Sequence, residues 1–246
     1  MNIKLSFGPW LFSPGLASTL VTVLLFPLFV YLGFWQLGRM AEKIQLQTEL
    51  ENRITSPPLK IEDIKSENNI RFHRLQVKGE FLNTDQILLD NQIFQGQAGY
   101  HIITPLYPEN SEDIAKILLI DRGWVPIEED RSNIPSIKPI QGTVTITGII
   151  NQPPQPLVLE ETPLAKHPIF PLLLQTIDFK KLETVLDHSI FPFLVQLQAE
   201  SPYAYTTPPI TFGVPANRHL GYAVQWFTMA IISLLYYFGI NTRRHS

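Results

Sequence analysis

Hydrophobic and polar positions divide this chain into three blocks. Apolar residues run almost unbroken from Leu16 to Leu37, inside the longer charge-free stretch Leu5 to Gly38, and again from Leu220 to Ile240. About 20 apolar positions are what an α-helix needs to cross a bilayer core, so both stretches predict transmembrane helices. The first lacks the basic start and short apolar run before a small-residue cleavage site that mark a removable signal peptide, and is expected to be retained. Pro27 in its middle should bend it, which membrane helices tolerate where neighbours satisfy the freed carbonyl. The expected organisation is a tail and first span at 1–38, a domain at 39–217, and a second span with a short basic tail at 218–246.

Between the spans the pattern changes. Met40, Ile44, Leu46 and Leu50 lie among charged and amide residues, predicting a helix that continues from the membrane over Met40 to Arg53 until Pro57-Pro58 stops it. Strand patterns follow at Phe72 to Phe81, Gln86 to Asp90, His101 to Pro105, Ile117 to Asp121, Val144 to Ile150 and Phe193 to Ala199. Turn chemistry separates several of them, at Asn83-Thr84-Asp85 and Gln95-Gly96-Gln97-Ala98-Gly99. Asp178 to His188 reads as an amphipathic helix capped by Asp178. The proline-rich segments Asn151 to Pro171 and Pro202 to Pro215 are expected to be irregular. The fold class is therefore a membrane protein of α+β type, with two transmembrane helices flanking one strand-rich, antiparallel extracytoplasmic domain.

Composition narrows the function by exclusion. The formal net charge is only -3, and no basic stretch suggests nucleic acid. With no cysteine, disulfides, thiolate metal sites and cysteine nucleophiles are all excluded. The tail Thr242-Arg243-Arg244-His245 favours the cytoplasm, whereas a long domain is translocated largely regardless of charge. Both termini are thus expected to be cytoplasmic and the domain periplasmic, in a bacterial inner membrane, since no Arg- and Ser-rich leader is seen. The domain shows no His-Glu-x-x-His, Gly-x-Ser-x-Gly or phosphate-binding glycine loop. His73, His101, His167 and His188 are scattered, and no carboxylate spacing singles out an acid/base pair. Asp121-Arg122-Gly123-Trp124-Val125-Pro126 reads as a strand end where glycine permits a turn and tryptophan anchors a core.

Candidate chemistry gathers where the spans meet the domain. His219 lies at the mouth of the second helix and shares the i, i+3, i+4, i+7 stripe with Tyr222, Ala223 and Trp226. On the first helix Trp35 and Arg39 form an i, i+4 pair at the same depth, so Trp35 is expected near Trp226 or Tyr222. Aromatic belts with basic anchors are common at membrane surfaces and need no ligand. The alternative is a shallow interhelical site in which His219 serves as metal ligand, Tyr222, Trp226 and Trp35 as aromatic walls, and Arg39 and Arg218 as cations. Such a set suits a carboxylate-bearing, iron-containing ring such as haem.

Five motifs then occur in series: Leu32-Gly33-Phe34-Trp35-Gln36-Leu37-Gly38-Arg39 with Glu42-Lys43; Gly79-Glu80-Phe81; Gly99-Tyr100-His101-Ile102-Ile103-Thr104-Pro105-Leu106; Arg122-Gly123-Trp124-Val125-Pro126; and Asn217-Arg218-His219-Leu220-Gly221-Tyr222-Ala223-Val224-Gln225-Trp226-Phe227. In this order they resemble the surfeit locus family of cytochrome c oxidase assembly factors. The resemblance implies a two-span inner-membrane protein, not an enzyme, that assists insertion of haem a into oxidase subunit I. It also implies that His219 matches the histidine involved in binding that haem. The implied partners are subunit I or its assembly intermediates, haem A synthase and the lipid bilayer. Two other classes stay open: a tethered scaffold with no cofactor, and an envelope enzyme whose acid/base residues escape recognition.

Overall fold

Every long apolar run becomes a helix or a buried strand in the computed structural model, which describes residues 5–64, 69–109, 116–128, 134–152 and 169–244. In chain order the elements are β1 (Leu5–Phe7), β2 (Trp10–Phe12), α1 (Leu16–Thr55), β3 (Leu59–Lys60), a 3-10 turn (Ile61–Asp63), β4 (Arg74–Phe81), β5 (Ile87–Phe94) and β6 (Gln97–Pro108). They continue with β7 (Lys116–Pro126), β8 (Thr143–Asn151), β9 (Leu172–Leu174), α2 (Phe179–Leu186), β10 (Ser189–Leu197), α3 (Ala216–Asn241) and β11 (Thr242–Arg244). They form two compact units, one of residues 1–48 with 211–246 and one of residues 49–210. These boundaries fall at Thr48 and Ile210, where the sequence placed them near Gly38 and Asn217.

The first unit holds α3 and α1 up to Thr48. α1 is one continuous helix of 40 residues that runs through Pro27 and stops before Pro57-Pro58, so the predicted span and the helix after it are a single element. Only 6% and 11% of the residues in the most apolar windows of α1 and α3 are buried. A core helix of a water-soluble domain would hide that surface, and this much uncovered apolar area needs lipid around it. The two helices are antiparallel: Asn241 Oδ1 accepts from Gly15 N at 2.9 Å, and the hydroxyls of Thr19 and Tyr237 lie 3.0 Å apart. Beyond these helix ends β1, β2 and β11 form a small sheet, with Thr242 to Arg244 pairing antiparallel to Trp10 to Phe12. The basic tail is thus partly a strand, an element the polar pattern did not announce.

The second unit is built on an eight-stranded sheet in the order β3-β4-β8-β10-β7-β6-β5-β9. An additional pairing of β4 with β6, from Gly79↔Pro108 to Phe81↔Leu106, closes β4, β8, β10, β7 and β6 into a ring. Leu75, Val77, Phe81, Leu106, Leu118, Ile120, Ile146, Ile150, Val195 and Leu197 fill its interior. The alternate residues of the same strands face outward. Ile103, Ile117, Leu119 and Leu194 join Ile87 and Leu89 of β5 and pack under α2 through Leu182 and Leu186. β7 is therefore buried on both faces, which is why Ile117 to Ile120 read as a continuous apolar run rather than an alternating one.

Most pairings in this sheet are antiparallel, as expected, and three are parallel. β10 pairs parallel to β7, β9 to β5 and β3 to β4. A parallel partner requires a long connection, and the chain supplies it by passing through β8, β9 and α2 between β7 and β10. Alternation of apolar and polar residues reports which face a strand buries but not its direction. Asp178 caps α2 as predicted, accepting from Lys180 N at 3.1 Å and Lys181 N at 3.3 Å. Most of the proline-rich stretch after Asn151, with His167, lies outside the described residues.

Candidate functional site

Small residues bring α1 and α3 close together. Gly33 sits directly under the Phe227 ring, where a Cβ would come within 2.5 Å of ring carbon, and Ala223 and Ala230 of α3 are buried. In lipid such close approach replaces the hydrophobic drive that holds soluble helices together. The contact faces are regular: Phe29, Gly33 and Gln36 line α1, and His219, Ala223 and Trp226 line α3. Trp226 stacks on Phe29 with ring centroids 5.9 Å apart, and Phe34 meets Phe227 edge to face at 5.3 Å.

His219 is held at one end of this seam. Its Nδ1 lies 2.7 Å from Gln36 Oε1. Gln36 is itself buried. The other ring nitrogen, Nε2, is buried and has no hydrogen-bond partner. An imidazole anchored through one nitrogen and unpartnered at the other is the arrangement found in metal-ligating histidines, so the donor set fits an iron-containing ring.

Not all of the predicted site residues converge. His219 and Trp226 face α1, but Tyr222 and Trp35 are 44% and 49% exposed. Trp226 stacks on Phe29, which lies on a different face of α1 from Trp35. Arg39 pairs with Glu42 on its own helix at 2.6 Å, and Arg218 is exposed in the first turn of α3. Gln36, Phe29 and Gly33 are the site residues that sequence reasoning missed. Their i, i+4, i+7 spacing was present in the chain, but the louder aromatic signal of Trp35 masked it.

The second unit holds a pairing that spacing could not reveal. His101 Nδ1 on β6 lies 2.8 Å from Asp121 Oδ2 on β7, and Asp121 Oδ1 accepts from Gly123 N at 2.9 Å. Burial alone would lower the His101 pKa, but the Asp121 charge and hydrogen bond outweigh it and raise the value above the ordinary histidine range. His188 packs edge to face on Tyr107, and burial and the Arg53 charge lower the pKa of His73. Among the described residues no cluster of three or more metal-ligating side chains occurs.

The motif Arg122-Gly123-Trp124 lies inside β7 rather than at a strand end. Gly123 adopts φ +111°, and Thr206 O passes so close that a Cβ there would meet it at 2.5 Å. Trp124 N donates to Thr206 O and Tyr205 N to Arg122 O, both at 2.6 Å. The buried Arg122 guanidinium completes the clasp, donating to Tyr203 O and Lys138 O and lying over the Tyr205 ring. Trp124 anchors the core as expected, donating through Nε1 to Gln92 O.

Comparison with known proteins agrees with this arrangement. A SURF1-like protein of Rickettsia felis is 27% identical over 226 residues, covering 89% of this chain and 95% of the relative. One from Rickettsia bellii is 28% identical over 234 residues, 89% of each chain. Surfeit locus protein 1 of Mus musculus is 24% identical over 153 residues, covering 55% of this chain and 49% of that protein. The SURF1 family pattern matches residues 23–231, which takes in most of both helices, Gln36, His219 and the whole strand-rich unit, and the chain belongs to the SURF1 family.

Proposed function

We propose that this protein is a membrane-tethered assembly factor for cytochrome c oxidase that holds haem a between its two helices for delivery to oxidase subunit I. The observation that carries this reading is the His219 ring, fixed through Nδ1 and left with a buried, unpartnered Nε2. A structural histidine gains nothing from burying a nitrogen without a partner, which costs about 1–3 kcal/mol, whereas a ligand to iron needs that nitrogen available. Trp226 and Phe29 supply flat apolar walls beside it. Arg218, and Arg39 by exchanging its Glu42 partner, would be the cations that meet the propionates through charge-assisted hydrogen bonds. Bound haem a would bring the redox and ligand-binding chemistry of iron, and this chain's part is to bind, orient and release it. The protein is thus a binding protein rather than an enzyme, with oxidase assembly intermediates and haem A synthase as its partners.

The test has a biochemical and a physiological arm. Protein purified from cells that also make haem A should carry the absorption bands of a histidine-ligated haem a. Deleting the gene should lower haem a in the assembled oxidase while total haem A persists. Colourless protein together with normal oxidase in the deletion strain would sink the proposal, and loss of haem A itself would point to an enzyme of haem synthesis.

The orientation that accompanies this reading places both termini in the cytoplasm and the strand-rich unit in the periplasm of a bacterial inner membrane. It rests on Arg243 and Arg244 following the second helix. The chain has no cysteine, so single introduced cysteines report their own side of the membrane. Gln97→Cys, at an exposed hairpin position, should react with an impermeant maleimide once the outer membrane is opened, and Arg243→Cys only after lysis. The reverse pattern overturns the orientation.

A further inference from the structure

We infer that Gln36 is a positioning residue for the His219 site: its carboxamide oxygen fixes the proton of the neutral imidazole on Nδ1 and so leaves Nε2 as the lone-pair nitrogen. The role assigned to that nitrogen rests on the haem-holding reading, while the tautomer itself does not.

The geometry leaves few alternatives. Gln36 Oε1 lies 2.7 Å from His219 Nδ1, and an amide oxygen only accepts, so Nδ1 is the donor. A neutral ring has one N–H, hence Nε2 carries a lone pair. Were the carboxamide reversed, its NH2 would donate to Nδ1 and the ring proton would move to Nε2. That N–H would then be buried with no acceptor, and orphaned buried N–H groups are rarer than under-satisfied acceptors.

An interhelical hydrogen bond can also serve simply as glue, since polar side chains buried in lipid seek each other. Glue does not explain why Nε2 is sealed without a partner. A ring whose two nitrogens were both structural would partner both or turn the second toward headgroup water. Outer-shell acceptors that orient a ligating histidine do explain it, because the hydrogen bond at one nitrogen decides which nitrogen meets the metal and raises its basicity. Gln36 is well suited to hold the ring in one pose. It is buried, and the packing of Gly33 under Phe227 and Phe29 against Trp226 fixes the helix face that carries it.

The test reads the tautomer and the haem separately. Full-length protein labelled with 15N-histidine, reconstituted without haem, should show for neutral His219 a protonated Nδ1 and an unprotonated Nε2, with His219→Ala assigning the signal. Gln36→Leu and Gln36→Met should shift the ring toward the Nε2–H form. Gln36→Glu, which retains an oxygen acceptor, should restore the original tautomer. In protein loaded with haem a, Gln36→Leu should weaken retention by about 10–100-fold, the usual loss when an outer-shell partner is removed. Wild-type His219 protonated on Nε2, or a tautomer indifferent to Gln36→Leu and Gln36→Met, overturns the inference. If the tautomer shifts as described but wild type and His219→Ala take up haem equally, the tautomer assignment to Gln36 stands and the haem-holding reading falls.

Discussion

On the haem-holding proposal, replacing His219 with alanine should remove the haem a bands expected of the purified protein while leaving the protein in the membrane. His219 is the only histidine among the described residues of α1 and α3, so its loss should exceed the roughly 10–100-fold penalty for removing an outer-shell partner. The scaffold should survive, because the seam has other fastenings. Asn241 binds Gly15 and Ser18 at the far end, Thr19 meets Tyr237, and Gly33 packs against Phe227 at mid-span. Gln36 would lose its partner, a cost of about 1–3 kcal/mol that headgroup water can reduce near a helix end. The measurement is the visible spectrum of equal amounts of wild type and variant, with membrane content followed by immunoblot. An unchanged spectrum would show that His219 does not ligate the iron. A variant that disappears from the membrane would show that His219 is a structural cap, and the scaffold reading would gain.

What the sequence made legible follows from the range of the physics involved. Helix and strand positions depend on neighbours a few residues away, and so α1, α2, α3 and the five ring strands stand where alternation, apolar length and the Asp178 cap put them. The ring closure was hidden, because pairing β4 with β6 rests on a close approach at Gly79 that no local pattern announces. His101 and Asp121 are joined only once β6 and β7 take their register, which shifts at a bulge between His101 and Ile103. The helix seam fails for a different reason. Adjacent residues on a helix point about 100° apart, so choosing Trp35 instead of Gln36 turns the contact face away from its partner. Aromatic residues draw attention, yet in lipid they also serve the outer surface, while small residues such as Gly33 and Ala223 mark the inner one.

The same close-approach logic yields the largest structural effect, at Gly123. Substitution by alanine should destabilise the strand-rich unit by about 3 kcal/mol or more, combining left-handed backbone strain with a forced shift of packed backbone. Its φ of +111° lies where side chains are rarely tolerated, and the added Cβ would stand 2.5 Å from Thr206 O. Thr206 cannot retreat cheaply. It is held by Trp124 N, its neighbour Tyr205 by Arg122 O, and the Arg122 guanidinium grips Tyr203 O from below. Relieving the clash therefore breaks the clasp and leaves the buried Arg122 charge with fewer partners, which adds to the cost. Gly96 provides the control. It also has positive φ, +79°, but nothing lies within 4 Å of its added Cβ, so Gly96→Ala should cost only the backbone strain of about 1–2 kcal/mol. Thermal unfolding and limited proteolysis of the three proteins in detergent would rank them, with Gly123→Ala well below Gly96→Ala. Equal stability of the two variants would mean that the 203–206 segment moves aside freely, and the clasp around Arg122 would then hold nothing in place.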